Sequence, residues 1–244
     1  MLHYLVNFFY PPRCAACDVR VGSGAVRRLC AACHASIERM PEPLCDVCGI
    51  PITREGTGDA EWCANCRKSP PHFTRARAVA RYRHDAGDDD RGVVPSIIRR
   101  HKYGLDQSLT HALAECLGDE LPLGDADYDV VIPVPLHIGR LRWRGFNQAA
   151  MLAVAVAGRL RRPLDLSTLV RTRATPPQTR QNRTERSKNL NRAFAVRRPT
   201  RVANRRILLI DDVMTTGATA DECARTLIAA GARRVDVLTL ARAV

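Results

Sequence analysis

The sequence predicts an α/β domain built on a parallel sheet, preceded by a small metal-binding domain. From about residue 75 onwards, short apolar runs alternate with segments of helical period, as in repeated strand–helix–strand units. Before that point, eight of the ten cysteines lie between residues 14 and 66, arranged as four Cys-x-x-Cys pairs. We therefore predict a metal-binding domain at residues 1–72 and an α/β domain at residues 73–244.

The composition is that of a globular protein with an uneven distribution of charge. Of the 244 residues, 45% are hydrophobic, which is enough for a substantial core. The formal net charge of +13 is concentrated in residues 171–206, which contain twelve Lys and Arg residues and one acid, Glu185. Such a concentrated field indicates a polyanionic partner, and both nucleic acid and a pyrophosphate fit that description.

The sequence also bears on cellular location. No apolar run reaches the ~18 residues needed for a membrane-spanning helix. The first thirteen residues lack a basic leader and a small-residue cleavage site. We therefore expect no membrane insertion, no signal peptide and a cytoplasmic location, where reduced cysteines serve as metal ligands or core residues more often than as disulfides.

The four cysteine pairs have the arrangement of zinc ligands. Each Cys-x-x-Cys turn directs two thiolates to one point, and two such turns complete a tetrahedral shell. Sequential pairing predicts two zinc sites, formed by Cys14, Cys17, Cys30 and Cys33 and by Cys45, Cys48, Cys63 and Cys66. Pairing across the two ribbons, a disulfide framework and redox chemistry are the alternatives. Because closed shells leave no coordination position for catalysis, we expect the zinc ions to be structural.

The elements of the α/β domain are expected in a regular order. Strands are predicted at Ala76–Tyr82, Asp129–Pro133, Ile207–Ile210 and Val235–Leu240, with a further strand ending at Val170. Helices are predicted from Asp106 to Gly118, from Asn147 to Leu160 and from Asp221 to Ala230. Segment 85–91 is interpreted as a solvated turn, and the arginine-rich segment after Val170 as a mobile loop. Cys116 and Cys223 are expected to pack in the core.

The segment Ile207–Thr219 has the features of a site for a phosphorylated sugar. Asp211 and Asp212 follow an apolar strand, where they can accept hydrogen bonds from the vicinal hydroxyls of ribose. A turn of small and hydroxyl-bearing residues comes next, before a helix: Thr215, Thr216, Gly217, Ala218 and Thr219. Such a turn lets the backbone approach a phosphate, and the helix N-terminus favours the anion. The alternative is a strand end with two capping acids and an ordinary threonine turn.

The same thirteen residues resemble the signature with which type I phosphoribosyltransferases bind 5-phosphoribosyl-1-pyrophosphate (PRPP). The whole chain resembles the ComF family of competence-associated proteins, in which a double zinc ribbon precedes a phosphoribosyltransferase domain. The supporting segments are FYPPRCAAC at 9–17, IIRRHKYG at 97–104, VIPVPLH at 131–137 and RGFNQA at 144–149. The acidic insert after Tyr82 is the visible departure from this pattern.

The resemblance implies a role for each part of the site. Asp211 and Asp212 would hold the ribose hydroxyls, and the turn at residues 215–219 would hold the 5-phosphate. The pyrophosphate loop would consist of Val134, Pro135, Leu136 and His137. Residues 171–198 would form a flexible loop that closes over the site. Mg²⁺ would accompany the pyrophosphate, held mainly by substrate oxygens and water.

The resemblance also implies an activity, transfer of ribose 5-phosphate to a nitrogenous acceptor with release of pyrophosphate. Since the leaving group gains negative charge, nearby cations would be catalytic. Arg171 and Arg173 are the first candidates and Arg140, Arg142 and Arg144 the second, with a solvated surface role as the alternative for each.

Two competing functions remain. One is a DNA-handling protein of competence, in which PRPP is a regulator or a relic and the partners are single-stranded DNA or DNA-uptake proteins. The other is an adaptor that recruits a partner through the zinc ribbons, residues 1–70.

Overall fold

A four-stranded parallel sheet forms the centre of the structure. The chain contains the strands β1 (Arg75–Tyr82), β2 (Val130–Pro133), β3 (Leu169–Arg171), β4 (Phe194–Val196), β5 (Arg206–Met214) and β6 (Arg234–Ala243). The central sheet has the order β1-β6-β5-β2, and each neighbouring pair is parallel. The helices of the chain are α1 (Ala31–Ala35), α2 (Ala64–Lys68), α3 (Val93–Tyr103), α4 (Thr110–Cys116), α5 (Ile138–Arg144), α6 (Gln148–Leu160) and α7 (Ala218–Ala229).

A computed structural model describes most of the chain. The described residues are 13–21, 28–53, 61–83, 92–103, 109–118, 120–123, 127–174, 190 and 192–244. The predicted turn at 85–91, the predicted helix start at Asp106 and residues 175–189 of the predicted mobile loop lie outside them. None of the helices in the described ranges has the length and hydropathy of a membrane span.

Both faces of the sheet are covered, which explains the unbroken apolar run at residues 207–210 of β5. Along β5, Leu208 and Ile210 belong to a core shared with α3, α4 and α6, whereas Ile207 and Leu209 belong to a core shared with α7. All four side chains are buried. Successive residues of a strand point to opposite faces, so a strand covered on both sides needs an unbroken apolar run. The predicted parallel sheet is therefore confirmed.

Several predicted elements have different bounds. β5 continues four residues beyond Ile210, because Asp211 and Val213 still pair with β6. α7 begins at Ala218, three residues earlier than predicted, since Gly217 is its left-handed N-cap. α4 begins at Thr110. Helix α5 was not predicted. It begins after His137 and ends at Gly145, whose φ of 77° is left-handed.

The described ends of the segment predicted as a mobile loop form secondary structure. β3 pairs antiparallel with β4 in a separate two-stranded sheet, and a 3₁₀ turn follows at Pro199–Arg201. Leu169 and Phe194 are buried in the same core as α7. These two apolar side chains fix both ends of an otherwise polar segment.

The two cysteine ribbons pack on opposite faces of the sheet. Cys14 and Leu29 join the core of α3, α4 and α6, whereas Cys45 and Cys66 join the core of α7. The chain between them runs along β1, the edge strand. The N–H of Ala76 donates to the carbonyl oxygen of Val47 at 2.7 Å, and the N–H of Arg81 donates to that of Glu38 at 2.8 Å. The ribbons thus cover an edge that would otherwise expose unpaired backbone groups. The boundary between residues 72 and 73 remains a prediction.

A glycine marks the closest approach of the second ribbon to β1. Gly49 has a φ of 66°, and a Cβ at this position would lie 2.5 Å from the carbonyl oxygen of Ala76. We predict that Gly49→Ala lowers the free energy of unfolding by at least about 1–2 kcal/mol, the cost of the left-handed backbone alone. Urea unfolding of the zinc-loaded protein measures the change.

The matched control is Gly158→Ala, because a Cβ at Gly158 in helix α6 meets nothing within 4 Å. Gly158→Ala should raise the free energy of unfolding by up to about 1 kcal/mol. Equal stability of the two variants would contradict this account of the ribbon–strand contact.

Candidate functional site

Two acids lie side by side in the last part of β5. Asp211 is partly exposed, and its Oδ1 accepts a hydrogen bond from the N–H of Asp212 at 2.9 Å. Asp212 is buried, and its Oδ1 accepts from the N–H of Val213 at 2.7 Å. Asp211 pairs in register with Thr239 of β6. The acids therefore lie within the strand rather than after it, and only the first reaches the surface readily.

The turn predicted to bind the 5-phosphate, Thr215–Thr219, connects β5 to α7 and is called the phosphate turn below. Gly217 has a φ of 81°, and a Cβ there would meet Cε of Met214 at 2.7 Å. The N-cap has no side chain to hydrogen-bond the first turn of α7, and Thr216 Oγ1 accepts only a long bond from the N–H of Ala218, 3.4 Å. Helix N-termini of this kind offer backbone N–H groups to an anion. With Asp211 and Thr239, the turn lines one small cavity.

The predicted pyrophosphate loop leaves β2 next to these acids. The N–H of Val134 donates to the carbonyl oxygen of Ile210 at 2.8 Å, and Asn147 Nδ2 donates to that of Val134 at 3.0 Å. Pro135 and Leu136 are partly exposed. His137 caps helix α5, since its Nδ1 accepts from a backbone N–H at 3.2 Å. The loop therefore lies at the end of the strand that neighbours Asp211.

Arg171 extends this region. Its backbone forms an isolated parallel β-bridge with that of His137. Its guanidinium carbon lies 5.4 Å from the centre of the Phe194 ring. Burial lowers the pKa of Arg171, and the charge of Arg140 lowers it further, whereas Asp211 opposes this shift. A cavity of about 320 Å³ is lined by His137, Gly139, Arg140, Arg171 and Ala174.

The other candidate arginines lie differently. Arg173 and Arg142 are exposed and are not among the residues lining that cavity. Arg144 Nη1 donates to Gln148 Oε1 at 3.1 Å. Of the five arginines considered, the structure brings together Arg171, a first candidate, and Arg140, a second one.

The cysteines form two separate clusters, as sequential pairing predicts. The four sulfurs of each cluster lie within 4.8 Å of one another. The first cluster consists of Cys14, Cys17, Cys30 and Cys33, and the second consists of Cys45, Cys48, Cys63 and Cys66. The ten cysteines are free thiols. Cys17–Cys30 and Cys48–Cys63 have Sγ–Sγ distances of 3.7 Å, close to the ~3.8 Å expected around a tetrahedral zinc with 2.3 Å bonds.

Backbone N–H groups favour the ionised form of one ligand in each cluster, Cys14 and Cys45, whereas burial and the neighbouring cysteines raise the pKa of Cys33 and Cys66. The N–H of Cys30 donates to Cys14 Sγ at 3.4 Å, and the N–H of Cys63 donates to Cys45 Sγ at 3.3 Å. Burial alone would raise the pKa of Cys45, but backbone hydrogen bonds outweigh it and lower the pKa to about 7. The two clusters therefore fit two structural zinc sites, and neither crossed pairing nor a disulfide framework agrees with them.

Comparisons with known proteins support the same two parts. Residues 5–72 match the family described as Double zinc ribbon domain, and residues 147–243 match Phosphoribosyl transferase domain. The DNA utilization protein YhgH of Shigella flexneri is 31% identical over 225 residues, covering 88% of this chain and 90% of that protein. Competence protein F of Haemophilus influenzae is 29% identical over 249 residues, and the match covers 98% of this chain and 100% of that protein. The chain belongs to the ComF family.

The ComF assignment, the parallel sheet and the two cysteine clusters together confirm the predicted fold class. Among solved structures, the allosteric regulatory enzyme of purine biosynthesis matches 54% of this chain, with 22% identity and a TM-score of 0.37. The match spans only 25% of that enzyme. Such a partial likeness says nothing about the activity of this ComF protein.

Two residues near the ComF site escaped the sequence reasoning. Thr239 is buried beside Asp211, and its Oγ1 has no hydrogen-bond partner among the described residues. Arg242 is buried in the same strand. Both are polar residues in the apolar strand β6, and that interruption is the signal that could have identified them.

Proposed function

We propose that this ComF protein binds PRPP at the carboxyl edge of its sheet and transfers ribose 5-phosphate to a nitrogenous acceptor. One observation carries the proposal: the exposed acid of β5, the phosphate turn and the loop after β2 meet at the ends of two adjacent parallel strands. Parallel sheets with helices on both faces bind their ligands at this edge.

Each group suits one part of PRPP. Asp211 and Asp212 would accept hydrogen bonds from the ribose hydroxyls, while the phosphate turn would bind the 5-phosphate. The loop Val134–His137 would contact the pyrophosphate. Mg²⁺ belongs to the proposal as a companion of the pyrophosphate, held by substrate oxygens and water.

The arginine pair supports turnover rather than binding alone. Cleavage of the bond between C1 and oxygen places positive charge on the ribose and negative charge on the departing pyrophosphate. Arg171 and Arg140 line the cavity beside the proposed pyrophosphate loop, where they would stabilise that negative charge. The identity of the acceptor and a cytoplasmic location remain parts of this proposal.

The acid pair provides the first test. We predict that Asp211→Asn/Asp212→Asn weakens PRPP–Mg²⁺ binding by at least about 1.5–3 kcal/mol, the value of a hydrogen bond to a charged group. Isothermal titration calorimetry measures the affinity. Asp127→Asn is the matched control, because Asp127 is exposed and pairs with Arg162 and Arg206 at the opposite edge of the sheet. An unchanged affinity in the double variant, or an equal loss in the control, would remove the support for the site.

The cavity arginine provides the second test. Arg171→Met should reduce pyrophosphate release about a hundredfold, the effect of removing one donor to a developing anion. Arg173→Met should have a smaller effect, since Arg173 is exposed and lies outside the cavity lining. Pyrophosphate is measured with PRPP and a panel of nitrogenous bases, and calorimetry shows whether binding survives. Equal rates for the two variants would exclude a special role for Arg171.

DNA handling is the second candidate function, favoured by the names of the relatives, DNA utilization protein and Competence protein F. The basic segment 171–206 supports it in part. Arg206 is already paired with Asp127 and Asp129, at 2.8 and 2.9 Å. Arg197 and Arg198 are exposed and remain accessible to a phosphate backbone.

This alternative predicts electrostatic binding of single-stranded DNA. The logarithm of affinity should fall with the logarithm of salt concentration at about −0.7 per phosphate contact. Arg197→Gln/Arg198→Gln should make the slope shallower by about 1.4, whereas Arg206→Gln should leave it unchanged. Fluorescence anisotropy with a labelled oligothymidine measures the slope, and an affinity independent of salt would refute this mode of binding.

A further inference from the structure

A cavity connects the second cysteine cluster with the phosphate turn. It has a volume of about 110 Å³ and lies between the ligands Cys48, Cys63 and Cys66 and the residues Thr216, Gly217 and Ala218. Arg242, near the end of β6, lines the same cavity. One buried cation therefore stands between a metal-binding cluster and the proposed phosphate site.

Arg242 has few polar contacts for so buried a charge. Only 5% of the residue is exposed, and neither Nε nor Nη1 has a hydrogen-bond partner within the described part of the chain. Among the described ion pairs, none involves Arg242. Burying a charge is costly unless an opposite charge lies nearby. Asp221 lines the same cavity but is engaged by the backbone N–H and the ring of His72, and it forms no described ion pair with Arg242. A further negative group near Arg242 would therefore stabilise its charge.

The second zinc site supplies that negative charge. A zinc ion with four thiolates carries a net charge of about −2. Three of the four cysteines, Cys45, Cys48 and Cys66, are buried, so water cannot solvate the cluster well.

The first cluster differs in this respect. Of its four cysteines only Cys14 is buried, while Cys17 is exposed and Cys30 and Cys33 are partly exposed. Water can stabilise its charge. The two clusters thus differ in burial, and the buried cation Arg242 lies beside the more buried one.

The second ribbon is also linked to both ends of the phosphate turn. Met214, the residue before the turn, pairs in register with Arg242 and shares a core with Cys45, Cys48 and Cys66. Past the turn, the N–H of His72 donates to Asp221 Oδ1 at 2.6 Å, which ties the chain leaving the ribbon to the first turn of α7. The turn is therefore held from the ribbon on both sides.

We propose that Arg242 is the counter-ion of the second zinc cluster, and that zinc bound there holds the phosphate turn in its binding conformation. Arg242 is thus a positioning residue. The part of this inference that concerns phosphate binding rests on the proposed function. The parts that concern zinc retention and the order of the turn do not.

The first experiment compares Arg242→Met with Arg242→Lys in the full chain loaded with two zinc ions. Zinc transfer to a chromogenic chelator is followed for both sites. Arg242→Met should weaken one of the two sites about tenfold to a hundredfold, the usual effect of losing a group that supports metal ligands. Arg242→Lys should retain most of the affinity, because it keeps the charge. Two sites of wild-type affinity in Arg242→Met, or an equal loss in Arg242→Lys, would overturn the counter-ion role.

The second experiment compares Cys63→Ser with Cys33→Ser, one partly exposed ligand from each cluster. Hydrogen exchange of the backbone at residues 214–220, measured without ligand, should become faster in Cys63→Ser only. Affinity for ribose 5-phosphate should fall in the same variant. If exchange changes equally in both variants, or in neither, zinc does not hold the turn.

These measurements separate the two proposals. A wild-type protein that binds neither PRPP–Mg²⁺ nor ribose 5-phosphate would refute the proposed function, while zinc retention and exchange would still decide the role of Arg242. If Cys63→Ser does not fold, the same comparison can be made with Arg242→Met and Arg242→Lys. Hydrogen exchange at residues 214–220 is then measured at a zinc concentration that fills the second site in Arg242→Lys but not in Arg242→Met.

Discussion

The structure depends on the burial of β5 between two parallel neighbours and two covered faces. This strand is the only one that contacts both β2 and β6 in the described sheet, and the four apolar residues at 207–210 contribute to both cores. Burial of four such side chains contributes on the order of 6–12 kcal/mol before entropy is counted. Its position fixes Asp211 beside Thr239 on one side and near Val134 on the other, which assembles the candidate site from distant parts of the chain.

The cysteine ribbons are part of the same construction rather than a separate attachment. They contribute few apolar residues, so metal binding has to supply much of their order. In return they hydrogen-bond to the edge strand β1 and contribute residues to each core. The second ribbon also lies close to Met214 of β5 and Arg242 of β6, in the region where the phosphate turn begins.

The main elements and the acid–threonine segment could be read from local patterns, whereas their bounds and some pairings could not. The unbroken apolar run at 207–210 specifies a buried strand, but pairing with β6 carries that strand on to Met214. Helix α5 lacks an apolar stripe long enough to predict it, and its cap, His137, looks like a ligand in the sequence. The hairpin of β3 and β4 pairs Leu169 with Val196 and Arg171 with Phe194, so it depends on contacts between residues far apart in the chain.

By itself, the sequence determined the chemistry of this protein: which thiols can bind zinc, which acids and threonines follow a buried strand, and where positive charge accumulates. These properties are local, because spacing and residue type suffice to express them. Only the tertiary structure decided which of these groups meet. Strand register places Thr239 beside Asp211. The return of β3 past His137 places Arg171, and not Arg173, in the lining of one cavity, and the packing of the second ribbon places Arg242 in one cavity with Cys48, Cys63 and Cys66. Such contacts join residues that lie far apart along the chain, so only the folded core brings them together.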